Sequence, residues 1–239
     1  MTAQKSKRQQ RRSRNSSNSR SITIGVIVVG ALLIAIALIY PNLKPAAEVI
    51  VLTPEAVSRP QTDGLTVGDV NSPAKIEVFE DFQCPACVSF TQDIEPLVIS
   101  QLVETGKAYY VFHNYPFLDR NSITKESQDS ANASLCANEQ GKFWEYHDTL
   151  FANWNGENEG NLSKPRLIQF ASAVDLNVDD FTACLDEDRY ADEIQASLDL
   201  GSSMGVSGTP TVFVNGQQIS PGYIPSFEDI AAAVEAVQK

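Results

Sequence analysis

Histidine and cysteine are scarce in this chain: two and four among 239 residues. Zinc sites of the structural kind draw four ligands from two Cys pairs, or from a Cys pair and a His pair at short spacing. One Cys-x-x-Cys pair is present, Cys84 and Cys87, while Cys136, Cys184, His113 and His147 stand apart, so no metal is expected. Basic residues are scarce beyond Arg20. Seven of the 18 Lys and Arg fall within residues 1–20, which hold no acid, leaving eleven against 30 acidic residues in the rest. A body with about 19 excess negative charges repels nucleic acid, and no basic patch with interleaved aromatics offsets it. No internal repeat is present. The glycines at Gly205 and Gly208 precede a strand pattern rather than a helix, which argues against a phosphate loop.

Charge is wholly missing from Ile22 to Tyr40 (ITIGVIVVGALLIAIALIY). As a helix this run would be about 28 Å long, close to the hydrocarbon thickness of a bilayer. It exceeds the roughly 7–15 apolar residues of a cleavable signal. Residues 21–40 are therefore expected to be an uncleaved, single-pass anchor in the lipid bilayer. The basic tail, 1–20, marks the cytoplasmic side and places everything after Tyr40 outside. Pro41, Pro45, Pro54 and Pro60 suggest a linker over 41–63, with a possible short strand at Val49–Leu52 and a folded domain from about Gly64. All four cysteines fall in the part where disulfides persist.

Within that domain, KIEVFE (Lys75–Glu80) alternates as a strand does. After Cys84-Pro85-Ala86-Cys87, Val88–Thr105 has helical spacing, with a kink at Pro96. AYYVFH (Ala108–His113) is a second strand, completing a βαβ unit. Helices are expected from about 121 to 204: one opening near Ser122 and Glu126, then Phe143–Asn153, one from Ser163 and Pro165, Val178–Leu185 and Tyr190–Leu200. The β pattern returns at Thr211–Val214, turns at Asn215-Gly216 and ends at Gln217–Ile219. Ser226 to Asp229 suggests a capping box for a last helix.

A Cys-x-x-Cys at a strand-to-helix turn puts its first sulfur against the unpaired N–H groups of a helix start, which favour a thiolate. A lowered pKa makes Cys84 a nucleophile and a good leaving group. Cys87, one turn on, is shielded, and Pro85 suits the first helical position. A purely structural disulfide is the bland alternative. His113 and His147 read mainly as structural, with the lining of a groove near the cysteines as the alternative for His147. Phe79, Phe82, Trp144 and Tyr146 read as packing residues, and the sequons at Asn132 and Asn161 as accidental.

Three stretches carry a family resemblance: GDVNSPAKIEVFEDFQCPAC (Gly68–Cys87), GKFWEYHDTLF (Gly141–Phe151) and GVSGTPTVFVNG (Gly205–Gly216). Together they resemble the DsbA-like group of the thioredoxin superfamily, extracytoplasmic bacterial thiol–disulfide oxidoreductases, from about Leu65 to the C-terminus. The resemblance implies a thioredoxin-like α/β fold, a central mixed sheet flanked by helices, with an inserted helical subdomain. It implies a cis peptide at Thr209–Pro210 facing Cys84 and Cys87, and a second disulfide between Cys136 and Cys184. Pro85, Ala86, Thr209 and Pro210 would support the site. The redox-active pair would be the only cofactor. The partners would be thiols of unfolded or exported proteins and a membrane quinone-linked thiol oxidase as reoxidant. Two departures stand out. The buried acid of many relatives, six residues before the first cysteine, is Val78 here, leaving Glu80 or Asp81 to take its place. Ala86 replaces the His of the most oxidising relatives, which implies a less oxidising pair. A reductase or isomerase of the same fold, and a non-catalytic binding module, are the alternative functions.

Overall fold

The computed structural model describes residues 30, 51–54, 57–121 and 123–238. The expected basic tail, the expected anchor (Gly30 apart) and the first part of the expected linker lie outside the described residues. Among those described, no helix is long and apolar enough to cross a membrane.

Six strands form one mixed sheet in the order β1-β2-β4-β3-β5-β6. They are β1 (Thr62–Asp63), β2 (Thr66–Val67), β3 (Ala74–Glu80), β4 (Ala108–Asn114), β5 (Thr211–Val214) and β6 (Gln217–Ile219). Only β3 and β4 run parallel, from Ala74 beside Ala108 to Glu80 beside Asn114. The β5–β6 hairpin closes on Asn215 and Gly216, both at positive φ, the backbone a two-residue type I′ turn requires.

Between β3 and β4 the chain forms α1 (Pro85–Asp93), α2 (Glu95–Val98) and a π-helical turn (Ile99–Val103). The expected single kinked helix is thus broken. Pro96 has no N–H to continue the ladder, and the chain restarts at Ile94. A 3₁₀ turn (Leu118–Asn121) leads into α3 (Glu126–Glu139), followed by α4 (Phe143–Ala152), α5 (Lys164–Ala173), α6 (Val178–Asp186) and α7 (Ala191–Ser203). The first long helix of the insertion thus opens at Glu126, within the expected start at Ser122 and Glu126; Ser122 itself lies outside the described residues. The last helix, α8 (Phe227–Val237), has the capping box: Ser226 Oγ accepts from Asp229 N–H, and an Asp229 carboxylate oxygen accepts from Ser226 N–H.

The alternation in β3 does not produce a solvated face, because both sides of the sheet are covered. Ile76 and Val78 enter the main core. Phe79 packs with Tyr115, Val206 and Phe213 on the other side. There α7 comes so close that a Cβ on Gly201 would sit 2.6 Å from the Tyr115 ring. Helix α3 is buried although it is rich in Ser and Asn. Its small side chains let neighbours approach, and their polar atoms are bonded: Ser130 Oγ to Ser127 O, Ser134 Oγ to Ala131 O, and Asn132 Oδ1 to Tyr190 N–H. Cys136 on α3 and Cys184 on α6 form a disulfide across this contact.

The segment read as linker needs correction over its second half. The compact unit starts at Val51. Leu52 bonds the Asn153 side chain through both its N–H and its C=O, so Val51 and Leu52 are not strand. Arg59 inserts its guanidinium between Glu95 and Asp148.

Candidate active site

Strand β3 ends at Glu80, and a short turn carries the chain to Cys84, the N-cap of α1. Two hydrogen bonds of Asp81 fix the turn: Gln83 N–H donates to Oδ1 at 2.9 Å and Leu118 N–H to Oδ2 at 3.1 Å. Gln83, wholly buried, ties it to the insertion through Ser127 Oγ, Asp119, Trp154 Nε1–H and Asn158 N–H. The position of Cys84 thus depends on contacts with α3 and the loop after α4.

Cys84 and Cys87 are both thiols here, 6% and 0% exposed. Pro85 occupies the first turn of α1 and is exposed; Ala86 is half-buried and brings no charge. The Cys84 thiol donates to the Thr209 carbonyl oxygen at 3.3 Å. The Thr209–Pro210 peptide is cis. The Cys84 pKa is lowered from its ordinary 9.0 to about 6. The largest cause is a hydrogen bond from the Cys87 thiol; burial works against it. Thr209 and the N–H groups of Cys87 and Ala86 add to the lowering. None of these N–H groups makes a full capping bond to the neutral thiol, so they act on the anion. Cys87 goes the other way: burial, first, and the thiolate beside it push its pKa well up. The two sulfurs are chemically unequal, one poised to ionise and one held protonated.

The two acids proposed to replace the missing one at Val78 differ in placement. Glu80 is 1% exposed. Burial, then the charge of Glu95, raise its pKa well above the ordinary carboxyl value, and it interacts directly with the Cys87 thiol. Its other contacts are Thr91 Oγ1 at 3.3 Å and Tyr110 OH at 3.5 Å, the long limit of a hydrogen bond. Burial also lifts Asp81, to about 6, but its oxygens are committed to the Gln83 and Leu118 N–H groups. Glu80 faces the cysteines, while Asp81 shapes the loop that presents them.

His147 does not line a groove. It is fully buried, ringed by Phe82, Phe112, Phe143, Trp144 and Phe151. Its Nδ1 is hydrogen-bonded to Asp148 Oδ1 at 2.9 Å. His113 stacks on Phe79 and meets Glu77 Oε1 at 3.2 Å, a structural contact. The residues missed from sequence are Arg59, Glu95 and Tyr110. Glu95 had a signal: with Val98 and Leu102 it falls on the buried stripe at helical spacing. A carboxylate on such a stripe needs a buried partner.

The thioredoxin family matches residues 61–236. A segment of an Na(+)/H(+) antiporter NhaA 3 of Salinispora tropica is 34% identical over 167 residues, covering 70% of this chain and 24% of that protein. The chain thus spans about a quarter of such antiporter relatives. Disulfide bond formation protein D of Bacillus subtilis is 25% identical over 188 residues, 77% of this chain and 81% of its own length. The crystal structure of oxidised BdbD from Bacillus subtilis superposes with a TM-score of 0.65 at 23% identity, covering 76% of this chain and 96% of that one. The strand order, the inserted helices and the match over most of its length agree: the chain belongs to the thioredoxin family.

Proposed function

We propose that this chain is a thiol–disulfide oxidoreductase that introduces disulfides into exported proteins. The observation that carries the reading is the unequal pair, Cys84 ionising at about 6 beside a Cys87 held protonated. A stabilised Cys84 thiolate stabilises the reduced enzyme, and so makes its disulfide an oxidant.

In the oxidised enzyme a substrate thiolate attacks Cys84 Sγ. The substrate–Cys84 bond forms, the Cys84–Cys87 bond breaks, and its electron pair goes to Cys87. That buried sulfur is a poor anion and takes the Glu80 proton. A second substrate thiolate then attacks the substrate sulfur, and Cys84 leaves as thiolate. Two electrons have passed to the enzyme and the substrate carries a disulfide. The Cys84–Cys87 pair is the only redox group the cycle needs.

The seven basic residues of the tail and the uncharged run that follows support a cycle outside the cytoplasm. Residues 21–40 would hold the domain at the bilayer, near a membrane quinone-linked thiol oxidase as reoxidant. Oxidation of a dithiol peptide by the oxidised protein tests the activity. It should proceed with one equivalent and vanish in Cys84→Ser; equal rates in both would leave only a binding module.

A further inference from the structure

Behind the cysteines lies a cluster of buried ionisable side chains drawn from distant parts of the chain. Arg59 comes from the N-terminal segment, Glu95 from the first turn of α2, His147 and Asp148 from α4. Glu95 is 1% exposed and His147 not at all. The Arg59 guanidinium donates to Glu95 Oε1 at 2.7 Å and, through both terminal nitrogens, to Asp148 at 2.7 and 2.8 Å. It lies 4.6 Å from the centre of the Trp144 ring. One guanidinium therefore serves two carboxylates. The second Glu95 oxygen has no hydrogen-bond partner, and His147 Nε2 at 3.9 Å is too far to supply one.

The groups facing Glu80 are Cys84, Cys87 and Thr91 from α1, Tyr110 from β4 and Glu95 from α2. Those facing Glu95 are Arg59, His147, Tyr110 and Glu80; Asp148 shares the Arg59 guanidinium with it. Glu80 has no cation among its hydrogen-bond partners among the described residues; the cation is spent on Glu95 and Asp148. Two buried like charges cannot both ionise cheaply, so the acid without the cation keeps its proton.

We propose that Glu95 is a positioning residue for proton transfer at Cys87: the charge Arg59 fixes on Glu95 keeps Glu80 loaded with the proton that Cys87 takes when the disulfide opens. This rests on Glu80 being the donor to Cys87. It also makes the stretch 57–63, which delivers Arg59, part of the redox apparatus. Once Glu80 has given up its proton, the charge on Glu95 disfavours its carboxylate and so favours its reprotonation.

The test is the ionisation of Glu80, read from its side-chain carboxyl ¹³C resonance in the reduced full-length protein, with and without Glu95→Gln. The isosteric amide removes the charge and leaves Arg59 its bond to Asp148. The Glu80 midpoint should fall by about one unit or more. The pH inflection of mixed-disulfide formation with a dithiol peptide should move with it. An unmoved Glu80 midpoint overturns the proposal. Glu80→Gln separates the two claims. If that variant keeps the inflection, Glu80 is not the donor and both fall. If it loses the inflection while Glu95→Gln leaves it in place, only the role of Glu95 falls. Should Glu95→Gln not fold, the unaltered protein decides: the Glu95 carboxyl resonance should show a step at the Glu80 midpoint, and its absence overturns the coupling.

Discussion

The Cys84 sulfur lies 3.3 Å from the carbonyl oxygen of Thr209, a residue 125 positions further along the chain. Strand β5 runs antiparallel to β3, so the residues just before β5 come to the end of β3, where the cysteines begin. The contact joins the two motifs around one sulfur. The ionisation of Cys84 is tied to folding separately, by the hydrogen bonds from the Cys87 thiol and from the N–H groups of Cys87 and Ala86. The folded pKa of Cys84, about 6, lies below its ordinary 9.0. Its thiolate therefore contributes stability that is present in full above about pH 9 and is lost as pH falls through 6. Urea unfolding of the reduced protein should show a stability advantage over Cys84→Ser that shrinks across this window. An advantage independent of pH would contradict the linkage.

Replacing Cys87 by Ser should trap substrate. Cys84 can still exchange with a disulfide, but no second sulfur remains to release the adduct internally. Non-reducing electrophoresis of whole-cell extract should show mixed disulfides through Cys84 that disappear on reduction and are missing from the Cys84→Ser, Cys87→Ser double variant. A Cys87→Ser protein that traps nothing counts against an exchange function.

The reduction potential should lie below that of a strongly oxidising pair, about -120 mV. Ala86 brings no positive charge to the sulfur, and the lowering of the Cys84 pKa comes from hydrogen bonds. Equilibration against glutathione measures it. A value at or above about -120 mV would show that the residue between the cysteines does not limit oxidising power here.

The Cys136–Cys184 bridge closes a loop over 48 positions and clamps α3 to α6. Replacing both cysteines by Ala should cost up to about 4 kcal/mol in the chain-entropy model, measured by urea unfolding. Thiol counting on the unfolded, unreduced protein in its oxidised form should find none. Since α3 also holds Gln83 through Ser127, the loss should reach the active-site turn.

What could be read from sequence was local. The β3 strand, the Asn215-Gly216 turn and the Ser226 capping box each rest on a few consecutive residues whose chemistry admits one geometry. Cys84 and Cys87 stood out because their spacing equals one helical turn. Of the long-range contacts, the Cys136–Cys184 bridge and the meeting of Thr209 with Cys84 came only through the family resemblance, and the buried ion pairs were not readable. Arg59 looked like part of a solvated linker, because nothing near it in the chain announces that Glu95 and Asp148 will meet it in the core. Pro96 announced a kink but not that Ile94 would separate two helices. That helix α3 is buried was not readable, because its Ser and Asn side chains bond backbone groups inside the fold rather than facing water.

The account depends most on the ionisation of Cys84. Absorbance of the thiolate near 240 nm, followed against pH in the reduced protein and corrected with Cys84→Ser, measures it directly. The structure predicts a single step with a midpoint of about 6, and no second step from Cys87 until far higher pH. A midpoint in the ordinary cysteine range, about 8.5, would contradict the account.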